Sequence, residues 1–295
     1  MENARDILKK IRQLELKTRG MIDTAFSGQY RSVFKGRGMN FEEVREYQPG
    51  DEVRAIDWNV TARTGDAYVK KFTEERELTV MLVVDVSASG EYGSIAMSKR
   101  ELAAEVACLF AFAAIRNNDK VGCILFSDHV ELMIPPAKGR AHALRIIREI
   151  LFFEPTGRGT NIACALEAMN RVLSRRAVVF LISDFQSPDY TKPLHISSRR
   201  HDVVAIPVVD PGELEIPDVG RLVLEDAETG ERMVINTSNR RTRLLFAEGV
   251  AGLLNDLPAV LRRFGVDSIT LRTDQDYVPA LRRFFKQRTS RLLHG

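Results

Sequence analysis

Two carboxylates and three hydroxyls occupy positions from which they can converge on one cation. The segment D-x-S-x-S at 85–89 places one carboxylate and two hydroxyls on the same side of an extended loop. A further hydroxyl follows two glycines just before a predicted helix, and a second carboxylate follows another apolar run. Oxygen donors without His or Cys favour Mg²⁺, with Mn²⁺ or Ca²⁺ as alternatives, over Zn²⁺. These observations predict a divalent-metal site formed by Asp85, Ser87, Ser89, Thr160 and Asp184.

The predicted site leaves at least one coordination position for a group from outside the chain. Because the ion's charge is only partly neutralised by two carboxylates, an Asp or Glu of a protein partner is the favoured additional ligand. Arg158, beside Thr160, is either a second contact to an acidic partner or a solvated loop residue. This chemistry predicts protein docking and no catalytic residues.

The apolar runs that precede these residues predict the sheet that brings them together. Residues 78–84, 177–183 and 202–209 are uninterrupted and rich in β-branched residues, as strands buried on both faces are. Residues 121–126 and 130–134 predict a strand pair with an antiparallel edge, and 268–271 a last strand. Helical patterns alternate with the strands at about 97–115, 140–151, 161–173, 239–264 and 277–288. The pattern predicts an α/β fold with a doubly wound, mostly parallel sheet and helices on both faces.

The chain divides by pattern into two parts. Residues 1–77 contain an amphipathic helix over 5–22 and a polar stretch with short extended runs, which predicts an N-terminal helix and a small β appendage. Residues 78–292 form the main domain, with a β-hairpin inserted at about 219–237. The three cysteines lie in apolar stretches without metal-binding spacing, which predicts buried, reduced thiols.

The five oxygen donors, in this chain order and on these elements, resemble the metal ion-dependent adhesion site of von Willebrand factor type A domains. The resemblance covers about residues 78–210 and extends to 239–290, and it implies a Rossmann-like fold. On this interpretation Asp85, Ser87 and Ser89 hold the ion. Thr160 engages it when the partner binds, and Asp184 holds a coordinating water.

A segment in the first part resembles the hallmark of a bacterial family called domain of unknown function 58. The similarity is carried by residues 36–51 (GRGMNFEEVREYQPGD), 54–58 (RAIDW) and 61–63 (TAR). It implies an adaptor or co-chaperone role with a MoxR-type AAA+ ATPase, because members are typically encoded near such ATPases. Gly90 departs from the pattern, since members often have Met there.

Two aromatic residues of this hallmark segment, Trp58 and Tyr47, are candidate partner-binding residues. Aromatic and Arg side chains are frequent binding hot spots. For Trp58 the alternative, which we favour, is packing in the core.

Composition and motifs limit the other functions. A net charge of +3 and scattered Arg pairs predict no nucleic-acid site. The N-terminus lacks a signal-peptide pattern and no stretch approaches the ~20 apolar residues of a membrane span, which predicts a cytoplasmic protein without membrane insertion. None of the five His residues sits at a strand end matching Asp85, where it could act as a base for Ser87 or Ser89, so an enzyme is not predicted. The alternative is a magnesium-dependent hydrolase that uses the same acidic site, with Asp128 and Asp210 available for a second metal.

Overall fold

The computed structural model describes residues 12–13, 16, 30, 33–34, 43–49, 51, 56, 58–71, 77–94 and 97–294. Of the predicted lead helix, the three described residues, Arg12, Gln13 and Leu16, have helical backbone. The remainder of that helix lies outside the described residues, as do residues 36–42, 50, 54–55 and 57 of the hallmark segment.

The described elements alternate between strands and helices from residue 79 onward. In chain order they are β1 (Glu43–Glu46), α1 (Trp58–Thr64), β2 (Tyr68–Lys71), β3 (Thr79–Asp85), a 3-10 turn (Ala88–Glu91), α2 (Lys99–Arg116), β4 (Lys120–Phe126), β5 (Val130–Ala137), α3 (Arg140–Phe152), α4 (Ile162–Val172), β6 (Val178–Ser183), α5 (Thr191–Arg200), β7 (Asp202–Val209), α6 (Pro211–Leu214), β8 (Arg221–Glu225), β9 (Arg232–Asn236), α7 (Arg240–Arg263), β10 (Asp267–Ser268), β11 (Leu271–Arg272) and α8 (Tyr277–His294).

The central sheet has the strand order β10-β7-β6-β3-β4-β5, and β11 also pairs with β7. Neighbouring strands are parallel except β4 and β5, which are antiparallel. This arrangement confirms the predicted doubly wound, mostly parallel sheet with an antiparallel edge. The chain proceeds from β3 to β4 on one side and places β6 on the other, so the topological switch point lies between β3 and β6. Ligands of such sheets bind beyond the strand ends at this point.

Strand β3 explains why helices cover both faces of the sheet. Its residues from Val80 to Val84 are at most 1% exposed, and successive side chains point to opposite faces. Val80, Leu82 and Val84 join a core formed with α2, α3 and α8. Met81 and Val83 join a second core formed with α4, α5 and α7. Burial of each such side chain stabilises the fold by ~1.5–3 kcal/mol.

The first part of the chain contributes to the first of these cores. Tyr30 and Val33 are 0% and 5% exposed, and the ring of Phe34 lies 5.6 Å from that of Phe180 and 5.9 Å from that of Phe285. Strands β1 and β2 pair antiparallel, as a small β unit requires. Within the polar stretch that was predicted to form a small β unit, residues 58–64 instead form helix α1, followed by Gly65 in the left-handed region (φ 85°) that commonly ends helices.

Several other predicted elements agree with the structure, and a few do not. The inserted hairpin is confirmed as β8 paired with β9, with Gly230 at φ 74° in its turn. The last strand is divided into β10 and β11, and α5 and α6 were not predicted. Of the cysteines, Cys108 and Cys123 are buried and Cys164 is half-buried, and all three are free thiols.

Helix α7 contradicts the prediction that no stretch of the chain approaches a membrane span. Among the described residues it is long and apolar enough, by length and composition alone, to cross a membrane, with a mean hydropathy of 1.5 over an 18-residue window that is 6% buried. The statement that no stretch approaches a membrane span is therefore wrong for this helix. One such helix is weak evidence of a span.

Candidate metal site

Asp85, the last residue of β3, is held by two hydrogen bonds. The Ser87 N–H donates to Asp85 Oδ1 (2.9 Å), and the Ser183 hydroxyl donates to Asp85 Oδ2 (2.5 Å). The Ser183 oxygen also accepts from the Phe185 N–H (3.0 Å). Phe185 has a φ of 62°, in the left-handed region that costs a non-glycine residue about 1–3 kcal/mol. The end of β6 is therefore shaped to support the carboxylate at the end of β3.

The two predicted serine ligands connect Asp85 with Asp184. The Ser87 and Ser89 hydroxyl oxygens lie 3.1 Å apart, and the Ser89 hydroxyl donates to Asp184 Oδ2 (2.8 Å). Ser87 is 1% exposed, so its hydroxyl is directed into the protein. The structure thus brings together four of the five predicted oxygen donors across the switch point.

Lys99, the first residue of α2, is a neighbour of Asp184 that sequence reasoning missed. Its Nζ donates to Asp184 Oδ2 (2.8 Å) and to Glu213 Oε1 (2.6 Å), and the side chains of Lys99 and Asp184 are 3% and 5% exposed. Burial alone would lower the pKa of Lys99, but the charges of Asp184 and Glu213 raise it. Lys99 therefore remains an ammonium ion and neutralises part of the site's negative charge.

Thr160 lies in the loop between α3 and α4 and is 5% exposed. Its loop is tied to the serine loop by the Ala88 N–H, which donates to the Arg158 carbonyl (3.0 Å). The Thr160 hydroxyl is hydrogen-bonded to Glu228 Oε1 (2.6 Å) rather than to another of the five predicted oxygens. Glu228 belongs to the turn between β8 and β9 and was not predicted to take part in the site.

Glu131, in the edge strand β5, fixes the start of the Thr160 loop. Its carboxylate accepts hydrogen bonds from the Gly157 N–H (2.7 Å), the Thr156 N–H (2.9 Å) and the hydroxyls of Ser127 (2.7 Å) and Thr156 (2.8 Å). Burial alone would raise the pKa of Glu131, but these hydrogen bonds, led by that of Gly157, lower it to about 2. The ionised carboxylate therefore holds the loop in one conformation.

The donor set fits a divalent cation. Adjacent oxygens around an octahedral Mg²⁺ ion with bonds of 2.0–2.1 Å are about 3 Å apart. The distances of 3.1 Å between the two serine oxygens and 2.8 Å between Ser89 Oγ and Asp184 Oδ2 agree with this spacing. Burial, followed by the charge of Asp184, raises the pKa of Asp85 to about 6, which indicates two buried carboxylates with too little positive charge between them.

Hydroxyls are essential to this fit. In the part of the chain that the structure describes, no group of three or more His, Cys, Asp or Glu residues is arranged to hold a metal ion. The cavity lined by Asp85, Ser89, Lys99 and Asp184 has a volume of about 20 Å³. This volume accommodates a water molecule or a single ion, since a water needs ~10–15 Å³ by this measure, whereas sites for drug-sized organic ligands are typically ~300–1,000 Å³.

The three predicted partner-binding residues lie in different surroundings. The Arg158 side chain is exposed beside the site, while its carbonyl joins the two loops. Trp58 is 65% exposed, which contradicts the favoured prediction that it packs in the core. Tyr47 is half-buried, and its N–H donates to the Ala67 carbonyl (2.7 Å). Arg158 and Trp58 are therefore accessible to a partner.

The residues missed by sequence reasoning gave weak signals or none. Ser183 directly precedes Asp184, and a hydroxyl at the last position of a central strand could have been included. Lys99, Glu131 and Glu228 are charged residues at a helix start, on an edge strand and in a turn, where charged residues usually face solvent. Long-range packing rather than local pattern brings them to the site.

Comparison with known proteins identifies a family of unassigned function. The family model described as "Protein of unknown function DUF58" matches residues 43–252. An uncharacterized protein of Mycobacterium tuberculosis, Rv1480, is 35% identical over 290 residues, which cover 97% of this chain and 90% of that protein.

Similar solved structures include a conserved hypothetical protein, BatB, from Bacteroides thetaiotaomicron, with a TM-score of 0.45 and 17% identity over 74% of this chain and 100% of the other. A von Willebrand factor type A protein from Catenulispora acidiphila has a TM-score of 0.42 and 10% identity over 76% of this chain and 44% of the other. TM-scores in this range are too low to carry an argument about function.

Proposed function

This chain belongs to the DUF58 family, and we propose that it is a metal-dependent protein-interaction module. The observation that carries the proposal is the convergence of Asp85, Ser87, Ser89 and Asp184 at the switch point of the sheet. A Mg²⁺ ion, or Mn²⁺ or Ca²⁺, bound there supplies a positive charge with affinity for a carboxylate of another protein.

Different residues of the chain would have different roles in such a site. Asp85, Ser87 and Ser89 offer oxygens from a loop fixed by the Ser183 hydroxyl and by the Arg158 carbonyl. Asp184 is paired with Lys99 in the metal-free protein, and this pairing limits the negative charge of the site. A partner's Asp or Glu then meets a site that remains electrophilic, while exposed Arg158 is available for a second contact.

Docking is supported over hydrolysis by the titratable groups near the predicted ion. Those that line the cavity beside Ser89 are Asp85, Asp184, Lys99 and Arg100. Lys99 is ion-paired twice and stays protonated, so it is unsuited to act as a base. A hydrolase would need a group free to accept a proton near the ion.

We further propose that the partner is a MoxR-type AAA+ ATPase or its client, and that the module acts as an adaptor or co-chaperone. The family resemblance supports this choice of partner. We also propose that the protein acts in the cytoplasm.

The test is binding of the full chain to a purified MoxR-type ATPase encoded in the same genome, measured by biolayer interferometry in Mg²⁺ and in EDTA. We expect at least tenfold weaker binding in EDTA and in Asp85→Ala, because the bridging ion is lost. Glu167→Ala, which removes an exposed carboxylate on α4, should bind as the wild type does. Equal affinity in Mg²⁺ and EDTA would contradict the proposal, and steady phosphate release from phosphoester substrates by the purified chain would favour the hydrolase.

A further inference from the structure

The hairpin turn brings a carboxylate of the chain itself to the candidate metal site. Glu228 Oε1 accepts a hydrogen bond from the Thr160 hydroxyl at 2.6 Å, across 68 residues of sequence. Thr160 is 5% exposed and Glu228 is half-buried, so the contact is largely shielded from solvent. The second oxygen lies beside Gly159, since a Cβ added there would be 3.5 Å from Glu228 Oε2, an ordinary contact.

The turn that carries Glu228 is locally ordered by Asp226. Asp226 Oδ1 accepts from the N–H groups of Glu228 (2.9 Å) and Thr229 (2.8 Å), and the Asp226 carbonyl accepts from the Gly230 N–H (2.8 Å). These bonds hold the pKa of Asp226 below its ordinary value. The turn therefore presents Glu228 in a defined direction rather than as a loose loop.

The two arms of the hairpin are closed on each other at its base, and its tip contacts the candidate metal site. At the base, the Thr237 hydroxyl donates to the Gly220 carbonyl (2.8 Å) and accepts from the Val219 N–H (3.0 Å). Between base and tip, strands β8 and β9 pair with each other and with no other described strand, and their cross-strand pair Val223 and Val234 is 58% and 66% exposed. The Glu228 contact is thus a tether on an element that is otherwise little packed.

We infer that Glu228 is an internal ligand of the metal site, which occupies the place that the partner's carboxylate takes. The inference rests on the proposed function, since it assigns a further residue to the same site. A resident carboxylate caps the free protein, so a partner binds by displacing the hairpin tip. This role would give a function to a hairpin that packs little against the rest of the fold.

The experiment compares three full-length proteins: wild type, Glu228→Gln and Glu231→Gln. Glu228→Gln keeps the size of the side chain and a hydrogen-bond acceptor for Thr160 but removes the charge. Glu231→Gln removes an exposed carboxylate of the same hairpin and is the matched control. Mn²⁺ alone is the probe, with affinity measured by calorimetry and the number of ion-bound waters by water-proton relaxation.

We expect Glu228→Gln to weaken Mn²⁺ binding by roughly five- to tenfold and to raise the relaxivity of the bound ion, because water replaces the carboxylate. Glu231→Gln should match the wild type in both. Identical affinity and relaxivity in all three proteins would overturn the internal ligand and leave the metal site standing. Absence of Mn²⁺ binding by the wild type would overturn the metal site itself, and the internal ligand with it.

Discussion

At the scale of single residues, the site is a balance of buried charges. Burial and then the charge of nearby Asp184 raise the pKa of Asp85, and the ammonium of Lys99 compensates for the charge of Asp184. Buried ions are tolerated only when they are paired and hydrogen-bonded. Lys99 therefore stabilises the metal-free protein, and at the proposed site it would compete with a metal ion for Asp184.

Replacing Lys99 with Met tests this balance. The metal-free Lys99→Met protein should lose on the order of 3–5 kcal/mol of stability in urea unfolding, because breaking a buried pair leaves Asp184 uncompensated. Its Mn²⁺ affinity should increase, and saturating Mn²⁺ should restore much of the lost stability. Arg148→Met, which removes an exposed ion pair with Glu149, should change stability by less than ~1 kcal/mol. Weaker Mn²⁺ binding by Lys99→Met would argue that the lysine helps to build the site rather than competing for it.

His201 gives the stability of the protein a dependence on pH. Burial, with Arg200 and Arg176 nearby, lowers the pKa of His201, and its Nδ1 accepts from the Ala177 N–H (3.3 Å). At His201 the unfolded chain binds a proton near pH 6.5 while the folded chain does not, so the contribution of His201 to stability falls as pH drops below about 6.5. The loss approaches about 1.4 kcal/mol per pH unit until the lower folded pKa is reached.

Urea unfolding of the wild type and of His201→Asn between pH 5 and 8 measures this effect. Asn keeps an acceptor for the Ala177 N–H and does not titrate, so the variant should show a smaller slope between pH 5 and 6.5. Equal slopes in the two proteins would show that His201 is not the titrating group.

At the scale of elements, three loops at the strand ends are joined by backbone hydrogen bonds. The Ala88 N–H reaches the Arg158 carbonyl, and the Asn161 N–H reaches the Ser127 carbonyl (2.8 Å). Glu131 completes the arrangement from the edge strand. The position of Thr160 is consequently determined by the close packing of its loop against the loop after β4.

Two glycines of that loop form a matched pair for testing this packing. A Cβ added at Gly157 would lie 2.3 Å from both Asp128 Oδ1 and Ser127 Oγ, whereas one added at Gly159 would have only ordinary contacts at 3.5 and 3.6 Å. We expect Gly157→Ala to lower stability by about 1–3 kcal/mol and to weaken metal binding by displacing Thr160. Gly159→Ala should stay close to the wild type in thermal unfolding and in Mn²⁺ titration. Equal effects of the two substitutions would contradict the packing argument.

Some of these elements could be predicted from the sequence and others could not. The buried strands β3, β6 and β7 were predicted because their apolar runs are unbroken, and the hairpin because a Thr-Gly turn joins its two extended runs. Helix α1 was missed because its polar sequence, from Trp58 to Thr64, has no apolar stripe. The proximity of the D-x-S-x-S segment to Asp184 could be predicted because the carboxyl ends of parallel strands lie at the same edge of the sheet. Lys99, Glu131 and Glu228 could not, because their places depend on contacts between elements far apart in sequence.

At the scale of the whole molecule, described residues of the first part (1–77) pack into the core of the main sheet. Phe34 packs edge-on against Phe180 of the sheet and Phe285 of α8, and the Arg288 guanidinium lies 4.9 Å from the centre of its ring. Aromatic and cation–π contacts of this kind add to the area that is buried. The first core of the main sheet is therefore completed by residues that precede residue 78.

Phe34→Ala and Trp58→Ala test this organisation with two aromatic residues of the same region. Phe34→Ala should lower the free energy of unfolding by about 3–5 kcal/mol, because it removes a large ring from the core. Trp58→Ala should change it by less than ~0.5 kcal/mol, since Trp58 is 65% exposed. Urea unfolding followed by circular dichroism measures both, and a small effect of Phe34→Ala would show that the first part packs only loosely on the domain.

The central claim is that oxygens at the ends of β3 and β6 hold a divalent ion. Calorimetric titration of Mg²⁺ and Mn²⁺ into the metal-stripped full chain tests it most directly, with Asp85→Ala as the variant and Glu167→Ala as its control. We predict saturable binding of one ion per chain that is lost in Asp85→Ala and retained in Glu167→Ala. Absence of binding in the wild type, or unchanged binding in Asp85→Ala, would contradict the claim.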